Sequence, residues 1–130
     1  MNFIKGIFPV YINYTDDGIP EGIAGVANRF KILIRPKYIK DKGVLAHEEQ
    51  HVWQWYRTFM FHSLLYKFSK SYRFFAEVDA YAIQLKVNQE NNFPDYLDFY
   101  ALRMTQIYDL NITQEEAKFR LEQKLNKIGG

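Results

Sequence analysis

Residues 44–56 of the chain read VLAHEEQHVWQWY, and this stretch decides how the surrounding sequence folds. It contains two of the three histidines, His47 and His51, with Glu48 directly after the first. Side chains four residues apart lie on one face of a helix, so the two imidazoles can converge, while Glu48 is rotated by about 100°. The apolar residues on both sides predict that this helix is buried. The pattern therefore predicts a metal site on a helix of the core.

The residue types in this pattern suit a zinc ion that activates water. Neutral imidazoles bind zinc without cancelling its charge, and a carboxylate beside the activated water can take its proton. His47 and His51 are therefore interpreted as ligands, and Glu48 as a general base. The chain has no cysteine, so a further ligand must be His, Asp or Glu. The third histidine, His62, lies eleven residues beyond His51 and is expected at the surface or at a helix end.

The sequence before this helix is typical of strands. Residues 8–14 (FPVYINY) and 30–36 (FKILIRP) alternate along the chain, and residues 15–22 (TDDGIPEG) between them have turn chemistry. A short third strand is expected at residues 22–26, with Asn28 in the following turn. These features predict a small antiparallel meander.

The sequence from Asp41 onward predicts about four helices. Pro94 suits the first turn of the third helix, and Thr113 with Glu116 forms a capping box at the start of the fourth. The helices are expected from Lys42 to about Met60, from Ser69 or Ser71 to Asn88, from Pro94 through Tyr108, and from Thr113 to Gly129. A sheet followed by helices predicts an α+β fold, and we expect one domain over residues 1–130.

Composition and charge exclude several classes of function. A chain of 130 residues is too short for a second lobe over a deep cleft, so an active site should be open. The 17 basic and 15 acidic residues are interleaved, which argues against nucleic acid as a partner. No uncharged apolar run reaches the roughly 18 residues of a membrane span. The start lacks a leader-like apolar segment, so a cytoplasmic protein is expected, although leaderless release would leave no trace.

Two segments together resemble the zincin metallopeptidases, and within them the gluzincins. They are AHEEQH (residues 46–51) and AEVDAYA (residues 76–82), in which Glu77 follows His51 by 26 positions. The resemblance covers about the middle third of the chain, residues 44–84. It implies a zincin-like fold, Zn²⁺ as cofactor, and Glu77 as a third zinc ligand supplied by a second helix.

The resemblance also implies an activity, namely hydrolysis of peptide bonds in a peptide or protein substrate with Glu48 as the base. In such proteins an extended substrate pairs with an exposed sheet edge, and residues 29–36 are the best candidate for that edge. Family patterns often continue Glu-x-x-Ala-Asp, with the aspartate orienting a zinc-bound histidine. Tyr81 replaces that aspartate here, so its hydroxyl is a candidate to bond an imidazole or a substrate oxyanion.

Helix geometry favours Glu77 over Asp79 as the third ligand. Two residues correspond to about 200° of rotation, so both carboxylates cannot face the histidines. Glu77 belongs to an apolar stripe that we expect to face the histidine helix, where a buried carboxylate needs a positive partner such as zinc. The stripe consists of Phe74, Glu77, Val78, Tyr81 and Leu85. The alternative is an exposed salt bridge from Glu77 to Arg73, one helical turn away.

Two alternatives to an enzyme remain open. In the first, a metal or simple polar packing holds the helices together without catalysis, which predicts a closed site. In the second, a phage or bacterial accessory protein keeps the zincin scaffold as an interaction module. An open fourth position at the metal would favour the enzyme over both.

Overall fold

The computed structural model describes residues 2–59, 61–94 and 96–129. They form a four-stranded mixed sheet followed by five helices, which confirms the predicted α+β class. The strands are β1 (Asn2–Ile4), β2 (Phe8–Tyr14), β3 (Gly25–Asn28) and β4 (Lys31–Ile34). A short 3-10 turn (Pro36–Tyr38) leads to α1 (Lys42–Arg57), α2 (His62–Phe68), α3 (Lys70–Glu90), α4 (Leu97–Gln106) and α5 (Gln114–Gly129).

The sheet is mixed, so the predicted antiparallel meander is wrong in its topology. The strand order is β1-β2-β4-β3, and β2 pairs with β4 in parallel. β3 and β4 form an antiparallel hairpin whose tight turn holds Arg29 at φ 59. The second strand of this hairpin, β4, lies beside β2. The first strand, β3, is therefore part of the long connection between β2 and β4 that a parallel pair requires. β1, a strand of three residues, was not predicted.

The edge of the sheet beside α1 is β3, so the prediction that residues 29–36 form the exposed edge is wrong. β4 lies between β2 and β3, and its Ile32 and Ile34 are completely buried. β3 runs close to the histidine helix at Gly25. A Cβ at this glycine would lie 3.0 Å from the Leu33 carbonyl oxygen and 3.5 Å from Cγ of Glu48. The backbone of β3 therefore approaches α1 where a larger side chain would crowd Glu48.

Helix α1 begins where it was predicted and ends earlier. The Asp41 side chain accepts a hydrogen bond of 3.1 Å from the Val44 amide and caps the helix. The helix ends at Arg57, because Phe59 turns the chain with a φ of 52°. The expected end, Met60, lies outside the described residues. Helix α2 was not predicted; its preceding residue, Phe61, makes no side-chain cap, so the usual start signal is missing.

The start of α3 and the start of α5 are confirmed. Ser69 accepts a hydrogen bond of 3.1 Å from the Tyr72 amide, which fixes the first of the two predicted starts of α3. Thr113 accepts one of 3.1 Å from the Glu116 amide, as the predicted cap of α5 requires. Although α3 has 21 residues, neither it nor another helix in the described ranges is long and apolar enough to cross a membrane.

Helix α4 begins at Leu97, so the predicted place of Pro94 in its first turn is wrong. The Tyr100 amide donates to the Tyr96 carbonyl at 2.8 Å, which places the start of the helix after Tyr96. Asn92 has a φ of 61° directly after α3. The chain therefore needs a longer connection between α3 and α4 than the sequence pattern suggested.

Two apolar cores lie on either side of a polar layer. One core fills the space between the sheet and α1, and the other joins α3, α4 and α5. Between them α1 packs against α3, and Gly43 lets the helices approach, since a Cβ there would lie 2.3 Å from Oδ1 of Asn88. Among the described residues, the buried polar side chains all lie on these two helices: His47, Glu48, His51 and Gln54 on α1, and Glu77, Asp79, Gln84 and Asn88 on α3.

Candidate metal centre

Three of these polar side chains form a compact cluster. Nε2 of His47 and Nε2 of His51 each lie 3.3 Å from Oε1 of Glu77. One potential ligand atom of each residue lies within 4.8 Å of the others, so the group could hold a metal ion. Ligand atoms bound at about 2.0–2.1 Å by a tetrahedral zinc ion are about 3.3 Å apart. The structure thus brings together the three residues that were predicted as ligands, in a group that could hold a metal ion.

The orientation of His51 is fixed by Gln54. The Gln54 amide nitrogen donates to the Ala76 carbonyl oxygen and to Oδ2 of Asp79, both at 3.1 Å. Its carbonyl oxygen must therefore face Nδ1 of His51, 2.9 Å away. Because that oxygen only accepts, Nδ1 carries a proton and Nε2 is the nitrogen left for a metal. Nε2 faces Oε1 of Glu77, and a metal ion would take the place of its proton.

This arrangement predicts that Gln54→Ala weakens zinc binding by about 10–100-fold, because a ligand histidine loses the partner that orients it. Gln50→Ala is the matched control, since Gln50 also donates to Oδ2 of Asp79, at 2.5 Å, but has no bond to a histidine. Zinc affinity is measured by competition with a chromophoric chelator. Equal dissociation constants for the two variants would contradict the role of Gln54.

His47 and Glu77 are held in a similar way. Nδ1 of His47 donates to Oε1 of Gln84 at 2.8 Å, which again leaves Nε2 for a ligand. The Tyr66 hydroxyl of α2 donates to Oε2 of Glu77. Since Oε2 is engaged in this way, Oε1 is the carboxylate oxygen that faces both histidines.

Tyr81 supports His47 through its ring. The two rings are in edge-on contact, with centroids 4.4 Å apart, and the hydroxyl is bonded to the Tyr108 hydroxyl at 2.6 Å. Among the described residues, the imidazole of His47 has Gln84 as its hydrogen-bond partner on Nδ1, so Tyr81 does not take the place of the family's aspartate. Its contact with a substrate oxyanion stays a prediction.

Glu48 lies beside this cluster on the wall of the cleft. It is 7% exposed, and it faces β3 near Gly25. Burial raises the pKa of Glu48, against the influence of His47 and His51, which lowers it. A carboxyl whose charged form is disfavoured has a greater tendency to accept a proton, which suits a base.

The cluster attracts positive charge. Burial raises the pKa of Glu77, but His51 and His47 outweigh it and hold the pKa well below its usual range. Burial lowers the pKa of His51, yet Glu77 raises it to about 9. No lysine or arginine of the described residues is paired with Glu77, whereas Lys124 lies 3.3 Å from Asp79. A buried carboxylate between two imidazoles is a fitting place for a divalent cation.

The alternative salt bridge between Arg73 and Glu77 is not formed. The Arg73 guanidinium donates instead to backbone carbonyl oxygens, at 2.9 Å to Tyr66, 3.0 Å to Lys67 and 2.9 Å to Tyr108. Arg73 therefore fixes the end of α2 and the loop after α4 against α3. Its charge is not what compensates Glu77.

The cleft consists of two cavities that share His47 and Glu48 in their walls. One, of about 380 Å³, extends past Tyr81 towards α4, and the other, of about 770 Å³, extends past His51 and Glu77 towards α2. Both also border on Gly25 of β3. The cluster is thus reached from the surface on two sides.

His62 lies on the second cavity and not in the cluster. It is the first residue of α2, and its Nδ1 is bonded to the Tyr72 hydroxyl at 2.7 Å. Burial and the neighbouring His51 lower the pKa of His62 to about 4. It is therefore a neutral, half-buried side chain at a helix start, close to the position expected from the sequence.

Sequence reasoning missed most of the side chains that support the cluster. Gln54 follows His51 by three residues and so shares its helix face, which was a usable signal. Gln84 follows Glu77 by seven residues, two helical turns, and this spacing was a usable signal. Tyr66 had no such signal, since it comes from the unpredicted α2. The stripe on α3 faces the histidine helix only in part: Glu77 and Tyr81 contact His47, whereas Val78 and Leu85 pack in the core with α4 and α5.

Comparison of the chain with protein-family models, with curated proteins and with solved structures finds no match. The fold and the site together define an α+β chain with a buried group of two histidines and one glutamate that could hold a metal ion. The function therefore has to be inferred from the residues of this site.

Proposed function

We propose that the protein is a zincin-like metallopeptidase that hydrolyses peptide bonds with Zn²⁺ as cofactor. The observation that carries this proposal is the open cleft at the cluster. Cavities of about 380 Å³ and 770 Å³ meet at His47 and Glu48, so a substrate can reach the three candidate ligands. A structural zinc site has four protein ligands in a closed shell, whereas a catalytic site has three and an accessible position.

Each residue of the site has a part in the proposed reaction. His47, His51 and Glu77 would hold Zn²⁺, which would supply the positive charge that polarises a carbonyl and lowers the pKa of water. A carboxylate oxygen of Glu48 takes the proton of the attacking water and passes it to the nitrogen of the leaving amine. Tyr81 lines the smaller cavity, and in this proposal its hydroxyl accepts from Tyr108 and donates to the oxyanion.

The substrate in this proposal is an extended peptide or protein segment. β3 is a sheet edge that borders both cavities through Gly25, and its free backbone groups can pair with an added strand. Such pairing would carry the peptide across Glu48, since Cγ of Glu48 lies close to Gly25. Backbone pairing fixes the position of the scissile bond, and the two cavities receive the side chains on either side.

A non-catalytic zinc site with the same three ligands would explain the surrounding structure less well. A zinc ion that only joined α1 to α3 would need no access from the surface, and its site is expected to be closed. Glu48 would also be a buried carboxylate with no lysine or arginine of the described residues paired with it and with no function to explain its burial. Both features favour the enzyme.

The first test concerns the metal. Purified protein is expected to bind one zinc ion per chain, and a strong chelator should lower its melting temperature, because zinc stabilises only the folded state. His51→Ala should abolish this stoichiometric binding, whereas His62→Ala, the matched control, should retain it. Metal analysis with thermal unfolding measures both. A wild-type protein that neither contains zinc nor responds to added zinc would contradict the site.

The second test concerns the reaction. The zinc-loaded protein is incubated at neutral pH with a peptide library, and products are identified by mass spectrometry. Cleavage that a chelator stops and added zinc restores would support the proposal. A protein that binds zinc tightly and cleaves nothing in the library would favour the non-catalytic scaffold.

A further inference from the structure

The short helix α2 has an unusual distribution of apolar side chains. Its polar or half-buried residues His62 and Tyr66 face the cleft, while its large apolar residues point outwards. These outward residues are Phe61 (60% exposed), Leu64 (57%), Leu65 (39%) and Phe68 (75%). Their spacing of three and four residues places them on one stripe of the helix. Phe59, 84% exposed, lies just before the helix.

Along the sequence, the segment that contains this stripe has charges of one sign. From residue 50 to residue 76 the sequence contains no aspartate or glutamate but four basic residues. Arg73 is engaged with backbone carbonyl oxygens, and the other three are Arg57, Lys67 and Lys70. Lys67 and Lys70 are exposed, and the Lys67 ammonium group lies 5.4 Å from the ring of Phe68. The outer surface of α2 is therefore apolar with a basic rim.

We propose that the outer surface of α2 docks on an anionic lipid bilayer. Exposed aromatic and aliphatic side chains next to lysine and arginine are the composition by which amphipathic segments lie in the membrane interface. The apolar residues would enter the boundary between headgroups and acyl chains, and the cations would face anionic headgroups. No helix in the described part of the chain can span a membrane, so the association is peripheral.

The dimensions and the charge of the surface disfavour a second copy as its partner. Seven residues of helix are only about 10 Å long and 10–12 Å wide, far below the roughly 800 Å² per partner of a stable protein interface. In a twofold contact through α2, the basic rim of one copy would also face the basic rim of the other. A bilayer needs no matching surface and supplies the opposite charge.

Docking would bring the cleft to the membrane surface. His62 and Tyr66 on the inner side of α2 line the larger cavity, and Tyr66 bonds Glu77. The proposal does not depend on the proposed peptidase activity, because it rests on the exposed side of α2 alone. If both hold, polypeptide segments at the bilayer surface become the accessible substrates.

The test is co-sedimentation of the full chain with vesicles of phosphatidylcholine alone and of phosphatidylcholine mixed with phosphatidylserine. Three cations near an anionic surface should favour the mixed vesicles by roughly two orders of magnitude, and high salt should reduce this preference. Replacing Phe61, Leu64 and Phe68 together by serine should lower binding by at least about tenfold. Phe119→Ser is the matched control, because Phe119 on α5 is 62% exposed and lies outside this surface.

The possible outcomes distinguish a lipid bilayer from a second copy of the chain as the partner of this surface. Strong binding to mixed vesicles that the triple variant loses and the Phe119→Ser control retains would support the proposal. Equal binding to both vesicle types, or binding to neither, would overturn it. Concentration-dependent dimerisation without vesicles that the triple variant abolishes would also overturn it, in favour of self-association. Circular dichroism of each variant establishes that the fold is kept.

Discussion

The Glu48→Gln variant is expected to keep its zinc and lose its activity, with kcat lowered by about 10²–10⁴-fold. Glutamine has nearly the same volume and can accept a hydrogen bond from water, but it cannot take the proton. The KM for a peptide should change little, because Glu48 does not hold the substrate in the proposed reaction. Burial already disfavours the charged form of Glu48, so a neutral amide at this place should not lower the melting temperature. Steady-state kinetics, zinc content and thermal unfolding measure these quantities.

The control for this variant is its neighbour on the same helix. Glu49→Gln removes an identical charge one residue further on, and Glu49 is only half-buried and outside both cavities. It should leave kcat within about twofold, as expected for a surface substitution. If Glu48→Gln loses zinc, Glu48 is a ligand and the proposed roles are wrong. If both variants retain full activity, another group is the base.

The local elements of the fold could be predicted because their signals are local. β2 was predicted at the residues where it lies, since residues 8–14 alternate and are bounded by turn chemistry. The serine and threonine caps of α3 and α5 were likewise readable from the sequence. The order of the strands was not, because the insertion of β4 beside β2 depends on packing between segments that are distant along the chain.

The candidate site was predictable to the extent that it depends on helix geometry. His47 and His51 are one turn apart, so any helix through them brings their rings together. Glu77 was inferred from the resemblance and from the cost of burying its charge. Tyr66 and the edge strand β3 belong to the tertiary structure, since α2 had no cap signal and β3 becomes an edge only through the strand order.

The polar layer between α1 and α3 also affects the stability of the fold. Each fully buried side-chain nitrogen or oxygen of the described residues has at least one hydrogen-bond partner. An apolar interface of the same volume would be at least as stable, because polar groups lose hydration when they are buried. The layer therefore fixes the positions of the two histidines and two glutamates at some expense of stability, and the proposed function would account for that expense.

Glu77→Ala is expected to weaken zinc binding by more than the roughly 10–100-fold caused by loss of an outer partner, because it removes a ligand. Asp79→Asn should change the zinc affinity by less than about tenfold. Asp79 lies on the same helix and is also buried, but its carboxylate is bonded to Gln50 and Gln54 and paired with Lys124. It reaches His51 only through the amide of Gln54.

The two variants also differ in their effect on stability, which makes the comparison more specific. Asp79→Asn keeps an oxygen for the two glutamines and loses the ion pair with Lys124, so it should lower stability in the presence and in the absence of zinc alike. Glu77→Ala should lower the melting temperature without zinc, because His47, His51 and Tyr66 lose their partner, and by a larger amount with zinc, because it also removes the gain that binding provides. Zinc competition and thermal unfolding with and without chelator measure both effects. If Asp79→Asn lost zinc and Glu77→Ala retained it, the third ligand would be Asp79, and α3 would have to rotate by about half a turn in the folded protein.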